Sequence, residues 1–430
     1  MSENHYIIVG GGLAGASSFY ELVSRGQACT LVDAHPGPGL GTSFANGAVL
    51  HPSHPDPWNS PGIFKHLLGS LFNPMAPIRL HWSQIPDLTG WGLNFIRHSV
   101  AHDHRAITDA NFKLAHYSTQ ATLGLYRDAG LEFNVATPGT LKLLYTPQQY
   151  DEACAMADRL ARFGLRYTPL TKDALIEREP ALAQMHQAPV GALYFPDDMI
   201  GDAHLFCEAV ARAAQAKGGV VRYGTHVQKL RVSKGRVIGA SVSTNGSDLE
   251  DLTGTVILCA GTAAPSLAES VGVQLPIRPA KGYSITVPAP QGAPRHPVID
   301  PQLHIAVTPL PDKVRVLGMA QFAGMDRHIE PKRLTLLQNV FAKIFPHLAR
   351  ETDWASAENW TGLRPMSSDG RPFIGATGAE GLWVNAGHGH LGWTMAMGSA
   401  KLLADQMMGQ PTEIDAAPFS LSSHRQDILR

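Results

Sequence analysis

A short apolar run, a glycine-rich turn, a helix, a second apolar run and an acid follow one another within residues 6–33 of this 430-residue chain. Few folds accept that order, and each part of it has a physical task. Tyr6–Val9 predicts a buried strand. Gly10, Gly12 and Gly15 then satisfy G-x-G-x-x-G, and a helix runs through Ala16, Leu22 and Val23 to a helix-ending glycine at Gly26. Cys29–Val32 predicts the second strand, and Asp33 closes it. The first glycine permits the tight turn, the second lets backbone approach a pyrophosphate, and the third lets helix pack on strand. The start of the helix, at Leu13 and Ala14, presents unpaired N–H groups and partial positive charge to phosphate. A carboxylate at Asp33 accepts hydrogen bonds from a ribose. The expected ligand is an adenine dinucleotide held by Gly10, Gly12, Leu13, Ala14, Gly15 and Asp33.

Charge narrows the classes. Lys and Arg total 35 against 36 Asp and Glu, so nothing in the balance points to nucleic acid. The four cysteines (Cys29, Cys154, Cys207, Cys259) have no C-x-x-C spacing, which suits a reducing compartment and argues against a disulfide frame. No apolar run reaches the ~20 residues of a membrane helix. With the fingerprint so close to residue 1, we expect no leader. The expected location is the cytoplasm, either free or peripheral on the cytoplasmic face of the inner membrane.

Beyond the fingerprint the α/β pattern breaks off and resumes. Residues 90–189 read as mostly helical, as in Tyr150–Phe163, before the helix Ala203–Ala216 and strands at Val220–Tyr223, Val237–Val242 and Thr255–Cys259. The last of these runs into a tight turn at Gly261. Tyr283–Val287, Ile305–Thr308 and Val314–Met319 alternate like antiparallel strands. The α/β pattern returns at Leu382–Asn385, a turn at Gly387–Gly392 and a helix from about Trp393 to Met408. The expected fold is α/β, a discontinuous Rossmann-like domain (1–89, 190–274 and 355–430) carrying a second domain (90–189 and 275–354) on a mainly antiparallel sheet plus helices. An apolar stripe at Ile63–Phe72 reads either as a helix packed on the core or as an interfacial helix touching a membrane or partner.

Several further runs resemble the flavin-dependent D-amino-acid oxidase superfamily, and in particular its bacterial D-amino-acid dehydrogenase branch. They are Val9–Gly15, Thr42–Gly47, Phe195–Asp198, Gly201-Asp202, Lys281–Ser284, Thr361–Met366 and Gly387–Thr394, spread from end to end. The resemblance implies FAD as the dinucleotide and a substrate domain on a mainly antiparallel sheet. It implies flavin contacts at Thr42, Ser43, Asn46 and Gly47, at Gly261, and along Gly387, His388, Gly389, His390, Leu391 and Gly392, with Val227 holding adenine through its backbone. No cysteine lies near Arg364, where some relatives attach flavin, so non-covalent FAD is expected.

Oxidising an amino acid at a flavin is mostly a matter of positioning. The substrate carboxylate calls for a planar arginine fork, and Arg364 stands where the family presents one. His390 replaces the small hydroxylated residue expected of close relatives and is a candidate contact for the substrate side chain or amine. His51 and His304 are further candidates to line the pocket. Pro309 and Arg278 depart from the family where arginine and an aromatic residue are expected. His98, His102 and His104 lack any supporting acid cluster, so no metal is expected. The leading expectation is oxidative deamination of a D-amino acid, hydride passing from Cα to flavin N5 and electrons leaving to a quinone or another carrier. Two alternatives stand beside it. One keeps the fold and oxidises D-proline, hydroxyproline, glycine or sarcosine. The other is a non-catalytic flavoprotein subunit of an electron-transfer complex.

Overall fold

Tyr6–Val9 is apolar at successive positions because both faces of its strand are covered. In the computed structural model, which describes residues 5–62 and 76–424, this strand lies inside a six-stranded sheet. The order is Phe373–Ala376, Leu382–Ala386, Thr255–Leu258, His5–Val9, Ala28–Val32, Val220–Arg222. Only the outermost pair, Phe373–Ala376 with Leu382–Ala386, is antiparallel. One face packs against the first helix, Leu13–Ser24, and the last, Gly392–Met407, through Phe19, Leu22, Met395 and Leu403. The other face is covered by Leu230, Val237 and Val242 of a three-stranded antiparallel sheet (Thr225–Ser233, Arg236–Thr244, Glu250–Thr253).

A nine-stranded, mainly antiparallel sheet forms the second layer. Its long strands are Glu358–Ser367, Ile277–Pro288 and Lys313–Phe322, side by side in that order from the edge. Helix Pro331–Ile344 covers one face, burying Leu337, Phe341 and Ile344 against Ile285, Val287 and Val316. Glu358–Ser367 is the edge strand, and this is why Pro365, which lacks a donor, is tolerated in it.

The sequence-derived elements match closely where periodicity is strong. Helix Ala203–Ala216 agrees to the residue, and Leu382–Asn385 gains only Ala386. Two differences carry physical reasons. Gly191–Phe195 and Glu358–Ser367 fall within segments expected in the dinucleotide domain, yet both pair into the nine-stranded sheet. Residues 90–189, expected to be mostly helical, also supply Thr140–Leu144 and Thr168–Thr171 to that sheet. Short strands of this kind give too few residues for a period to emerge. On sheet membership we propose that the domain boundary be drawn after residue 195 and again near residue 368. Ile63–Phe72 lies outside the described residues.

The two layers are also joined by helix Ala101–Ala129, whose Ser118 packs against Gly398 of the last helix. A Cβ at Gly398 would lie 2.7 Å from that of Ser118. Gly15 is tighter still, since its Cβ would fall 1.7 Å from the Gly10 carbonyl oxygen. Both Gly10 and Gly15 sit against rigid backbone, so the added methyl cannot be accommodated by a side-chain rotation. Gly15→Ala is therefore expected to cost about 3 kcal/mol, or to prevent folding, in apoprotein as well as FAD-loaded protein. Thermal melts of the two forms test this.

Candidate active site

The glycine turn opens into a cavity of about 530 Å³ that runs between the two large sheets. Gly10, with φ of +105°, turns the chain under Cys259, and its own Cβ would lie 2.6 Å from the Cys259 oxygen. Helix Leu13–Ser24 begins at the cavity without a side-chain cap at Gly12. Its Leu13 N–H donates to Ser43 Oγ at 3.2 Å, while Gly12 and Ala14 line the cavity beside it. Asp33 also lines the cavity and accepts hydrogen bonds from the Gly11 and His35 N–H groups, which fix its carboxylate.

The loop between Thr42 and Gly47 is held from the far side by the nine-stranded sheet. Ser284 Oγ donates to the Ala45 oxygen at 2.8 Å, Arg315 Nη1 to Asn46 O at 3.1 Å, and Thr308 Oγ1 to Gly47 O at 2.8 Å. In a planar trans peptide the N–H opposes the carbonyl. The Asn46 and Gly47 N–H groups therefore face away from that sheet's side chains, and among the described residues neither donates to a protein acceptor. Unpaired donors lining a cavity fit a ligand rich in acceptors, such as the pyrophosphate and ring edges of FAD. At the same cavity, Gly387–His390 precede the last helix and Gly392 opens it, and His388 is pinned by Ser399 Oγ at 2.9 Å.

Arg364 forms the other pole. The cross-strand pair Gly282 and Gly362 leaves the sheet bare at two adjacent points. The Arg364 guanidinium lies over Gly282, where a Cβ would meet Nη1 at 2.4 Å, and the Trp360 ring lies over Gly362. Arg364 Nη1 donates to the Met319 oxygen at 2.9 Å, a carbonyl turned by the left-handed backbone of Met319 (φ +65°). The guanidinium also faces Trp58, at 5.5 Å from the ring centroid, and Trp58 stacks on His390 at 5.5 Å and 20°. Among the described residues no carboxylate lies within ion-pairing distance of Arg364, and burial pulls its pKa down to about 10, so it remains a cation. His390 is held well below its usual value by burial, then by His51 and Arg364, with Asp56 opposing. Burial likewise lowers His51 to about 4.

Arg364, His390 and His51 thus share one cavity with Gly10, Gly12, Leu13, Ala14, Asp33, Thr42, Ser43, Asn46, Gly47, Val227, Gly261, Gly387, His388, Gly389 and Gly392. Three expected residues do not line it. Gly15 packs on Gly10, Leu391 is buried in the core with Trp393, and His304 instead uses its carbonyl to accept from Met319 N at 3.4 Å. Arg278 points to helix Ile85–Arg97, donating to the Asp87 oxygen at 3.1 Å, and Pro309 pairs with Val314. Sequence reasoning missed Trp58, Trp360, Met325 and Arg327, all of which line the cavity. Two glycines inside strand patterns, Gly282 and Gly362, were the available signal of a close approach.

The FAD dependent oxidoreductase family model, DAO, matches residues 5–406. D-amino acid dehydrogenase of Allorhizobium ampelinum is 36% identical over 419 residues, covering 97% of this chain and 98% of that protein. Glycine oxidase from Geobacillus kaustophilus superposes with a TM-score of 0.74 at 23% identity, covering 97% and 98% of the two chains. L-proline dehydrogenase from P. horikoshii gives 0.76 at 18% identity, covering 99% and 98%.

Two outcomes follow from the geometry. Gly282→Ala meets first the side-chain end of Arg364 and not a backbone atom, so the fold should tolerate it while the guanidinium is displaced. Substrate turnover should fall at least about tenfold with the melting temperature nearly unchanged. The second concerns acid. His51 and His388 have pKa values lowered by burial to about 4 from 6.5, so the unfolded chain binds protons that the folded chain refuses. Their contribution is complete above pH 6.5 and is lost as pH falls toward 4. A shift of this size is worth up to about 3 kcal/mol for each group. Melting temperature measured against pH should fall through that window, and His388→Gln should flatten it.

Proposed function

The chain belongs to the FAD dependent oxidoreductase family, and on that premise we propose that it oxidises a D-amino acid at FAD held in the cavity. The observation that carries this reading is Arg364, a guanidinium facing the cavity with no carboxylate partner among the described residues. A cation removed from water without a counter-charge is costly, and a bound substrate carboxylate relieves that cost. The family name and the D-amino acid dehydrogenases at about a third identity support the substrate class.

Bound FAD would supply a two-electron acceptor for the hydride that leaves Cα. Gly10, Gly12, Ala14, Asp33, Ser43, Asn46, Gly47 and Val227 would hold it, without a covalent bond. The one cysteine lining the cavity, Cys259, is buried and its thiol is pushed up to about 12. Arg364 grips the substrate carboxylate in a fork, braced by the Met319 carbonyl and Trp58. The burial and the Arg364 cation that keep His390 neutral also disfavour a substrate ammonium beside it and so favour the free-base amine, whose lone pair assists departure of the hydride. Trp58, Trp360 and Met325 offer apolar surface to the substrate side chain. The resulting imine is hydrolysed by water to a 2-oxo acid and ammonia, and the electrons pass to a quinone or another carrier.

A second reading concerns where the electrons go. Ile85, Leu93 and Ile96 form an exposed stripe at helical spacing on helix Ile85–Arg97, with Leu93 at 66% exposure, and exposed Trp82 and Val100 flank that helix. No helix among the described residues is long and apolar enough to cross a membrane. The stripe favours a peripheral contact with a lipid surface, where a quinone would be available.

Anaerobic mixing of the yellow protein with D- and L-amino acids, D-proline, glycine and sarcosine should bleach the flavin with D-amino acids fastest. Absence of bleaching by every amine, with FAD bound and reducible by dithionite, would sink the catalytic reading and leave the electron-transfer subunit. Arg364→Lys should lower kcat/KM by about two decades or more, because each charge-assisted hydrogen bond is worth ~1.5–3 kcal/mol and a point charge cannot replace the fork. Near-normal kinetics in that variant would remove Arg364 from the role.

A further inference from the structure

Arg315 does not line the cavity, yet it is a buried cation directly behind it. It stands on strand Lys313–Phe322, opposite Thr308 on the neighbouring strand Ile305–Pro309, and is only 6% exposed. Nε donates to Thr286 Oγ1 at 3.0 Å and Nη1 to the Asn46 oxygen at 3.1 Å. Among the described residues no carboxylate pairs with it. Asp202 and Glu358 act only from beyond ion-pairing distance, and burial lowers its pKa from the ordinary arginine value. Two neutral acceptors are poor compensation for burying such a charge. A hydroxyl would tie a carbonyl as well, as Ser284 and Thr308 do for the residues on either side of Asn46. The position therefore uses a full charge where an uncharged donor would have served the fold.

The geometry states what the charge does. Donation to the Asn46 oxygen polarises the peptide shared with Gly47, making the Gly47 N–H a stronger donor. That N–H, like the one before it, has no protein acceptor among the described residues. We propose that Arg315 is a positioning residue for the flavin, aiming and strengthening the Gly47 N–H at the bound ring and favouring its reduced, anionic form. The proposal rests on FAD lying against Ala45–Gly47, not on which amino acid is oxidised. The flavin's affinity and potential can be measured whether or not any amine bleaches it.

The test is a dithionite titration of the FAD-loaded protein against a reference dye, together with FAD binding to apoprotein, for Arg315→Met and Arg315→Lys. In the methionine variant oxidised FAD should bind about tenfold more weakly, the loss of one charge-assisted hydrogen bond. Reduced FAD should weaken about tenfold further, which lowers the two-electron midpoint by about 30 mV. The lysine variant should recover at least half of that shift, because it restores the charge. Arg315→Met with unchanged affinity and midpoint, whatever its melting temperature, overturns the proposal. If Arg315→Met gives no folded protein, Thr286→Val decides. It loosens the guanidinium without removing the charge, so a smaller downward shift supports the role and an unchanged midpoint ends it.

Discussion

A seam of hydrogen bonds between the nine-stranded sheet and the loop Thr42–Gly47 is the interaction on which the site depends. Thr42 Oγ1 donates to the Leu363 oxygen at 2.9 Å, one residue before Arg364, and the next three tied carbonyls belong to Ala45, Asn46 and Gly47. The strand of Arg364 is tied at its far end too, by the bridge of Met366 to His388 in the last glycine turn. The arginine expected to hold a substrate and the loop expected to hold a flavin are thus fixed to one another on both sides. Their separation is set by the sheet, whose strands move far less readily than a loop.

Charge at the site is distributed in an unusual manner. The cations Arg364 and Arg315 are kept without carboxylate partners among the described residues, whereas the histidines His51, His388 and His390 are held neutral by burial. A second acid–histidine group lies deeper. Asp198 accepts from Ser53 and Thr140, and burial raises it to about 7. These groups brace the turn that carries His51 and His54. Positive charge is thereby concentrated where an anionic substrate and an electron-rich reduced ring would sit, and diluted elsewhere.

The glycine fingerprint was legible because each of its residues has a local reason that no distant contact can override. Gly10 and Gly15 are forced by backbone clearance, and Asp33 by its place at a strand end. Arg364 and His390 were legible only through resemblance. Nothing local distinguishes Arg364 from a surface arginine, and what places it at the cavity is Gly282, 82 positions earlier, leaving room for it across a strand pair. Trp58 and Arg315 were not legible at all. One lies in a proline-rich stretch without periodicity, and the other occupies a strand position where a buried apolar residue would be the ordinary reading. His304 does not line the cavity, and its ring acts instead on the Asp300 carboxylate. Tertiary pairing decides such positions, and a single sequence carries no record of it.

The bare patch at Gly282 and Gly362 has a thermodynamic consequence for recognition. An arginine side chain free in solution loses ~2 kcal/mol of rotamer entropy when it is held in one geometry. Here the glycine floor, the Met319 carbonyl and the Trp58 face hold Arg364 in one arrangement before any ligand arrives. That loss of freedom therefore belongs to folding and not to association. A small carboxylate ligand of the kind proposed would meet a fork already in place and would not have to order its own receptor.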